Sequence, residues 1–103
     1  MDTPPPAAAI RLLIVDDQPL IRRGLAMILA AEKDLQIVGQ AGDGDQAIAL
    51  ALAERPDVVI MDLQMPLTSG VVATREITRR LPDTRVVVLT TFDEDELVFD
   101  AIR

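Results

Sequence analysis

Apolar residues in this chain follow two different rhythms. Four runs are short and nearly unbroken: Ile10 to Val15 (IRLLIV), Leu35 to Ala41 (LQIVGQA), Val58 to Asp62 (VVIMD) and Arg85 to Thr90 (RVVVLT). Runs of this length, rich in branched residues and bounded by turn formers, predict strands. Between them the apolar positions recur every three or four residues, which predicts helices. Pro19 to Ala31 places Ile21, Leu25 and Ile28 on one face, and Pro19 suits a first turn, where no N–H is needed. Asp45 to Arg55 is begun by the turn Gly42-Asp43-Gly44 and stopped near Pro56. Ser69 or Gly70 to Leu81 aligns Ala73, Ile77 and Leu81. A fourth helix begins at Glu94 and runs to Arg103, with Asp93 as its cap and Glu96 at capping-box distance.

Unbroken apolar strands alternating with amphipathic helices imply a parallel sheet covered on both faces, an α/β fold. The expected organisation is one domain over residues 10–103, preceded by a Pro/Ala-rich leader, residues 1–9, with the composition of a disordered terminus. A chain of 103 residues suffices for one modest core. Its two aromatic residues, Phe92 and Phe99, make that core aliphatic.

Composition narrows the chemistry. The absence of Cys and His removes disulfides, thiolate catalysis, zinc-finger ligation and Ser-His triads. What remains is carboxylates, hydroxyls, Lys33 and arginines. The formal net charge of −7 opposes phosphate backbones, so no direct nucleic-acid binding is expected of this chain. The start, MDTPPPAAAI, lacks a basic segment and a long apolar core, so it is not read as a signal peptide. No apolar run reaches the length of a membrane span. A cytoplasmic domain is expected, without membrane contact.

The third strand raises a question: why does VVIM, made for a dry interior, run into Asp62? In an open α/β sheet the working groups sit beyond the carboxyl ends of the strands, where strand order reverses. The first strand ends in Asp16-Asp17, the third in Asp62 and the fourth in Thr90-Thr91. If the first and third strands are neighbours, three carboxylates converge. Such a cluster without His or Cys calls for a hard divalent cation, Mg²⁺ or Mn²⁺. With its charge partly neutralised, Asp62 can act as a nucleophile toward phosphorus, and Thr90 can hydrogen-bond a phosphoryl oxygen.

The segments IVDD, VVIMDLQMPLTSG and VVVLTT, at these spacings, resemble the receiver domain of two-component response regulators. The continuation TTFDEDE resembles the branch that carries a C-terminal helix-turn-helix DNA-binding domain. The resemblance implies a flavodoxin-like, doubly wound parallel sheet in the order 2-1-3-4-(5), with strand 5 and helix 5 absent from this chain and the receiver therefore incomplete at its C-terminus. It implies that Asp62 accepts a phosphoryl group from a histidine kinase. It implies Mg²⁺ held by Asp17 directly, by Asp16 through water, by Asp62 and by the backbone carbonyl of Gln64, with Thr90 as the switch hydroxyl. The family places a lysine at the end of the fifth strand, and Lys33, late in the first helix, does not replace it. An apolar edge on the fourth strand would favour a homodimer through that edge or by exchange of the segment after it.

Other readings stand beside these. Asp16-Asp17 could cap the first helix. Gly42-Asp43-Gly44-Asp45 resembles a fragment of a calcium loop, but no Glu closes it, so a turn and helix cap is expected. Arg22-Arg23 and Arg79-Arg80 read as exposed helix faces. An aspartate-nucleophile phosphohydrolase shares the metal and the strand-end acid, yet that class has a second acid where this chain has Gln64. A receiver-like interaction module independent of phosphorylation is the third reading.

Overall fold

Continuous apolar strands need their backbone groups paired and both faces covered, and a parallel sheet between helices supplies both. The computed structural model describes residues 9–63, 65 and 69–89, and the structural statements below concern those residues. Strands β1 (Ile10–Val15), β2 (Leu35–Ala41), β3 (Val58–Asp62) and β4 (Arg85–Leu89) form one sheet in the order β2-β1-β3-β4. Every pairing is parallel. Helices α1 (Pro19–Ala30), α2 (Gly44–Glu54) and α3 (Gly70–Arg80) are the crossovers. This is the flavodoxin-like arrangement expected from the sequence, with the first four strands in the expected order. The predicted helix Glu94 to Arg103, with Asp93 and Glu96, lies outside the described residues.

Strand alternation divides the interior. Leu13 and Val15 of β1 and Val59 and Met61 of β3 join Ala47, Ala51, Ala73, Ile77 and Leu81 in one buried cluster. That cluster lies under α2 and α3. Leu12 and Ile14, the alternate residues of β1, are buried as well, as is Ala26 of α1. Alanine is the principal helical contribution to both layers. With so little side chain, these helices approach the sheet closely, and the strands supply most of the apolar volume.

The helix ends follow local chemistry. Asp43 is the N-cap of α2 and accepts from Gln46 N at 2.8 Å. The turn-and-cap reading of Gly42 to Asp45 is therefore what the structure has. Ser69 caps α3 by accepting from Val72 N at 3.2 Å. At the other end of α2, Arg55 adopts the left-handed conformation with φ 49°. There Arg11 Nη1 donates to the orphan carbonyls of Glu54 (2.6 Å) and Arg55 (3.2 Å).

One expectation fails. Ile21 and Leu25 are half-buried, but Ile28 is 68% exposed, alongside Leu20 and Met27. The inward stripe of α1 instead runs through Ile21, Arg22, Leu25, Ala26 and Leu29. Apolar residues surround most of this helix, so their period does not select a face. Ala26 is the buried residue of α1, and Ile28 lies away from it on the exposed side. Ile77→Ala should accordingly cost about 2–5 kcal/mol in denaturant unfolding, the range for deleting a buried Ile side chain. Ile28→Ala should change stability by less than about 0.5 kcal/mol. Equal costs would contradict the assigned orientation of α1.

Candidate phosphoryl and metal site

In the parallel register of β1 on β3, Val15 lies opposite Met61. The next residues, Asp16 just past β1 and Asp62 at the end of β3, therefore stand at the same rim of the sheet. Asp16, Asp17 and Asp62 each bring a carboxylate oxygen within 4.8 Å of the others. Asp16 (5% exposed) and Asp62 (7%) are buried, and Asp17 is half-buried. Two unit charges at that separation repel by roughly 1 kcal/mol in water and roughly 3.5 kcal/mol at an effective dielectric of 20. Three of them favour a cation, and an all-oxygen donor set fits a hard divalent ion.

The cap reading of Asp16-Asp17 does not describe this arrangement. Gln18 is the N-cap of α1 and makes no side-chain cap bond. Asp16 Oδ1 accepts from Gln18 N at 2.8 Å, ahead of the helix, and Asp17 joins the acidic group. The structure thus brings together three of the five candidate site residues. Gln64 and Thr90 lie outside the described residues.

Two residues to which the sequence gives no part in the site shape the rim. Gly70 opens α3, and a Cβ there would overlap the backbone carbonyl of Asp62 and come within 2.7 Å of Leu63 Cα. Helix α3 thus rests directly on the strand end that carries Asp62. The second is Arg22. It is half-buried, where an exposed helix face was expected, and its Nη1 donates to the Asp16 carbonyl at 2.8 Å. Its place four residues before Ala26 was the available signal. Arg79 and Arg80, by contrast, lie exposed as expected and bind Glu76. The hydrogen bond from Arg79 is the main cause holding the Glu76 carboxyl below its ordinary pKa. This surface network is remote in sequence from the acidic rim, and exposed pairs contribute little to stability.

A doubly wound sheet with buried carboxylates at the carboxyl ends of two adjacent strands defines an α/β domain with a metal-capable acidic rim. Comparison with known proteins makes the class specific. The chain belongs to the response regulator receiver domain family, which it matches over residues 12–103. It is similar to the transcriptional regulatory protein YxjL of Bacillus subtilis, 49% identical over 94 residues, covering 91% of this chain and 43% of that protein. It also resembles the solved receiver domain of the response regulator NarL from Mycobacterium tuberculosis. That match has a TM-score of 0.80 and 33% identity, over 91% of this chain and 76% of the other. A third relative is CheY of Borrelia burgdorferi, solved with CheX, BeF3 and Mg²⁺, at TM-score 0.80 and 25% identity over 90% and 70% of the two chains. The chain spans less than half the length of the curated relatives it matches.

Gly70→Ala should be among the most costly single-methyl additions in the chain. Unfolding by urea should show a loss above about 2 kcal/mol, because backbone must move to admit the methyl. Gly24→Ala, in the middle of α1 with nothing within 4 Å of the new Cβ, should raise stability by roughly 0.5–1 kcal/mol. A Gly70→Ala protein as stable as wild type would contradict the close fit.

Proposed function

We propose that this receiver domain is a phosphorylation-controlled switch in which Asp62 accepts a phosphoryl group from a histidine kinase. The observation that carries the reading is the meeting of Asp62 with Asp16 and Asp17 at one rim. An Asp62 carboxylate oxygen bonds to phosphorus as the P–N bond of a phosphohistidine breaks, and the departing imidazole takes a proton. The product is an acyl phosphate, which water slowly hydrolyses back to Asp62 and phosphate. The chain acts on itself in this scheme and turns over no separate substrate.

Mg²⁺ supplies the positive charge that lets three carboxylates and a phosphoryl group share the site. Asp17, Asp62 and the Gln64 carbonyl would hold it directly. Asp16, with Oδ1 engaged by Gln18 N, would reach it through water. Thr90 provides the hydroxyl that turns toward the phosphoryl group. The Mg²⁺ and BeF3 reported with the Borrelia CheY support this pairing of a hard cation with a phosphoryl-like group.

The output is a change in self-association or in contact with an effector domain that regulates transcription. Val87 and Leu89, alternate residues on one face of β4, are exposed, and this apolar face supports contact with a partner surface. Among the described residues no helix is long and apolar enough to cross a membrane. We assign the switch to the cytoplasm, where its kinase would meet it, with residues 1–9 as a leader.

Incubation with Mg²⁺ and a small-molecule phosphodonor should add one acid-labile phosphoryl group, read by intact mass, and Asp62→Asn should abolish it. Uptake by Asp62→Asn at the wild-type rate would reject the assignment. Steady turnover of a phosphomonoester would point instead to a phosphohydrolase. In calorimetric titration, Asp17→Ala should lose most Mg²⁺ binding, and Asp16→Ala should lose less.

A further inference from the structure

We propose that Arg22 is a positioning residue for the acidic rim, and that Gly42 lacks a side chain to make room for it. This rests on the reading of the rim as a divalent-cation site. Three hydrogen bonds close a ring around the end of β1. Asp16 Oδ1 accepts from Gln18 N at 2.8 Å. The Gln18 carbonyl accepts from Arg22 N at 3.0 Å, which opens α1. Arg22 Nη1 then returns to donate to the Asp16 carbonyl at 2.8 Å. The carboxylate and the carbonyl of Asp16 are thus both held, one by the backbone and one by the side chain of the same helical start. Asp17 follows directly on that carbonyl, so the ring sets the direction in which Asp17 leaves the strand.

The other side of the guanidinium is equally confined. A Cβ on Gly42 would lie 3.2 Å from Arg22 Nη1. Gly42 is itself fixed, since its N–H donates to Gln46 Oε1 at 2.9 Å. Strand β2 is tied to the same point, because Asp16 N donates to the Ala41 carbonyl at 3.1 Å. Arg22 Nε, meanwhile, is buried and has no hydrogen-bond partner among the described residues. A buried donor left unpaired is unfavourable, so this placement is not explained by the comfort of the side chain. It is explained by the contact that Nη1 makes with Asp16. Groups that orient ligands from behind in this way affect metal affinity without touching the metal.

The sign of the effect separates orientation from charge. Acting only as a nearby cation, Arg22 would repel a divalent ion, and its removal would tighten binding. Acting as a positioning residue, its removal loosens the Asp16-Asp17 turn and weakens binding. The test uses the full chain with Mn²⁺ as the probe, its free concentration read by electron paramagnetic resonance. Arg22→Met should weaken Mn²⁺ binding by roughly 10- to 100-fold, the usual range for groups behind the ligands. Gly42→Ala, whose methyl presses on the guanidinium, should weaken it in the same direction. The double variant should be no weaker than Arg22→Met alone, because both changes act through one contact. In metal-free protein, hydrogen exchange of the Gln18 amide should quicken in both single variants. Mn²⁺ binding unchanged or tightened in Arg22→Met, with wild type binding normally, overturns the proposal. If wild type binds no Mn²⁺, the metal reading of the rim fails by itself. Gln18 exchange then decides the ring, and an unchanged rate in Arg22→Met overturns it. Should Arg22→Met not fold, Gly42→Ala carries both measurements, with the same outcomes supporting or overturning the proposal.

Discussion

The register of β1 against β3 is the constraint on which the rest of this domain depends. Between the two strand ends the paired residues, Leu12 to Val15 and Val58 to Met61, are all apolar. Charge appears only beyond them. At the amino ends, Arg11 N donates to Asp57 Oδ2 and Asp57 N to the Arg11 carbonyl, both at 2.9 Å. At the carboxyl ends stand Asp16 and Asp62. Slipping one strand by a residue would reverse the faces of its side chains and draw a carboxylate toward the dry interior, where an unpaired charge is heavily penalised. The same pairing that builds the core therefore delivers two acids to one point.

Much of this was legible in the residues, for a physical reason. Strands such as VVIMD have no polar alternative along their length, so their extent, burial and end point follow from composition. The parallel topology follows from helices between them, and the acid trio follows once β1 and β3 are neighbours. Helix α1 was less legible. Leu20, Ile21, Leu25, Met27 and Ile28 offer apolar surface on most sides, and tertiary contact with the sheet, rather than period, selected Ala26 and left Ile28 outside. Arg22 was misread because a paired Arg-Arg looks like a solvated face. Its role depends on a backbone carbonyl and a glycine, neither of which has a signature in a one-dimensional pattern. Gly70 was noticed as a helix start, but only the structure shows that the Asp62 backbone occupies the space of its missing side chain.

A division of labour results. Large strand residues fix where the acids stand, while small residues and a single arginine fix how they point. Gly70 lets α3 press on the backbone of Asp62, and Gly42 gives Arg22 its place against Asp16. The rim is therefore supported on one flank by close backbone packing and on the other by a side chain bound to the Asp16 carbonyl, and changes well short of the carboxylates themselves can disturb it. For the switch proposed above, such a rim would have its carboxylates already gathered before the reaction.

On this reading Asp16, Asp17 and Asp62 act as one cation-binding, phosphoryl-accepting group. Dilute Mn²⁺ in the NMR spectrum should reveal it by paramagnetic broadening. Amide signals at the carboxyl ends of β1 and β3, centred on residues 16, 17 and 62, should vanish first, while those at the α2 cap Asp43 and at Asp45 and Glu54 of α2 persist. Broadening centred on Asp43, Asp45 or Glu54, or spread evenly over the acidic surface, would contradict it.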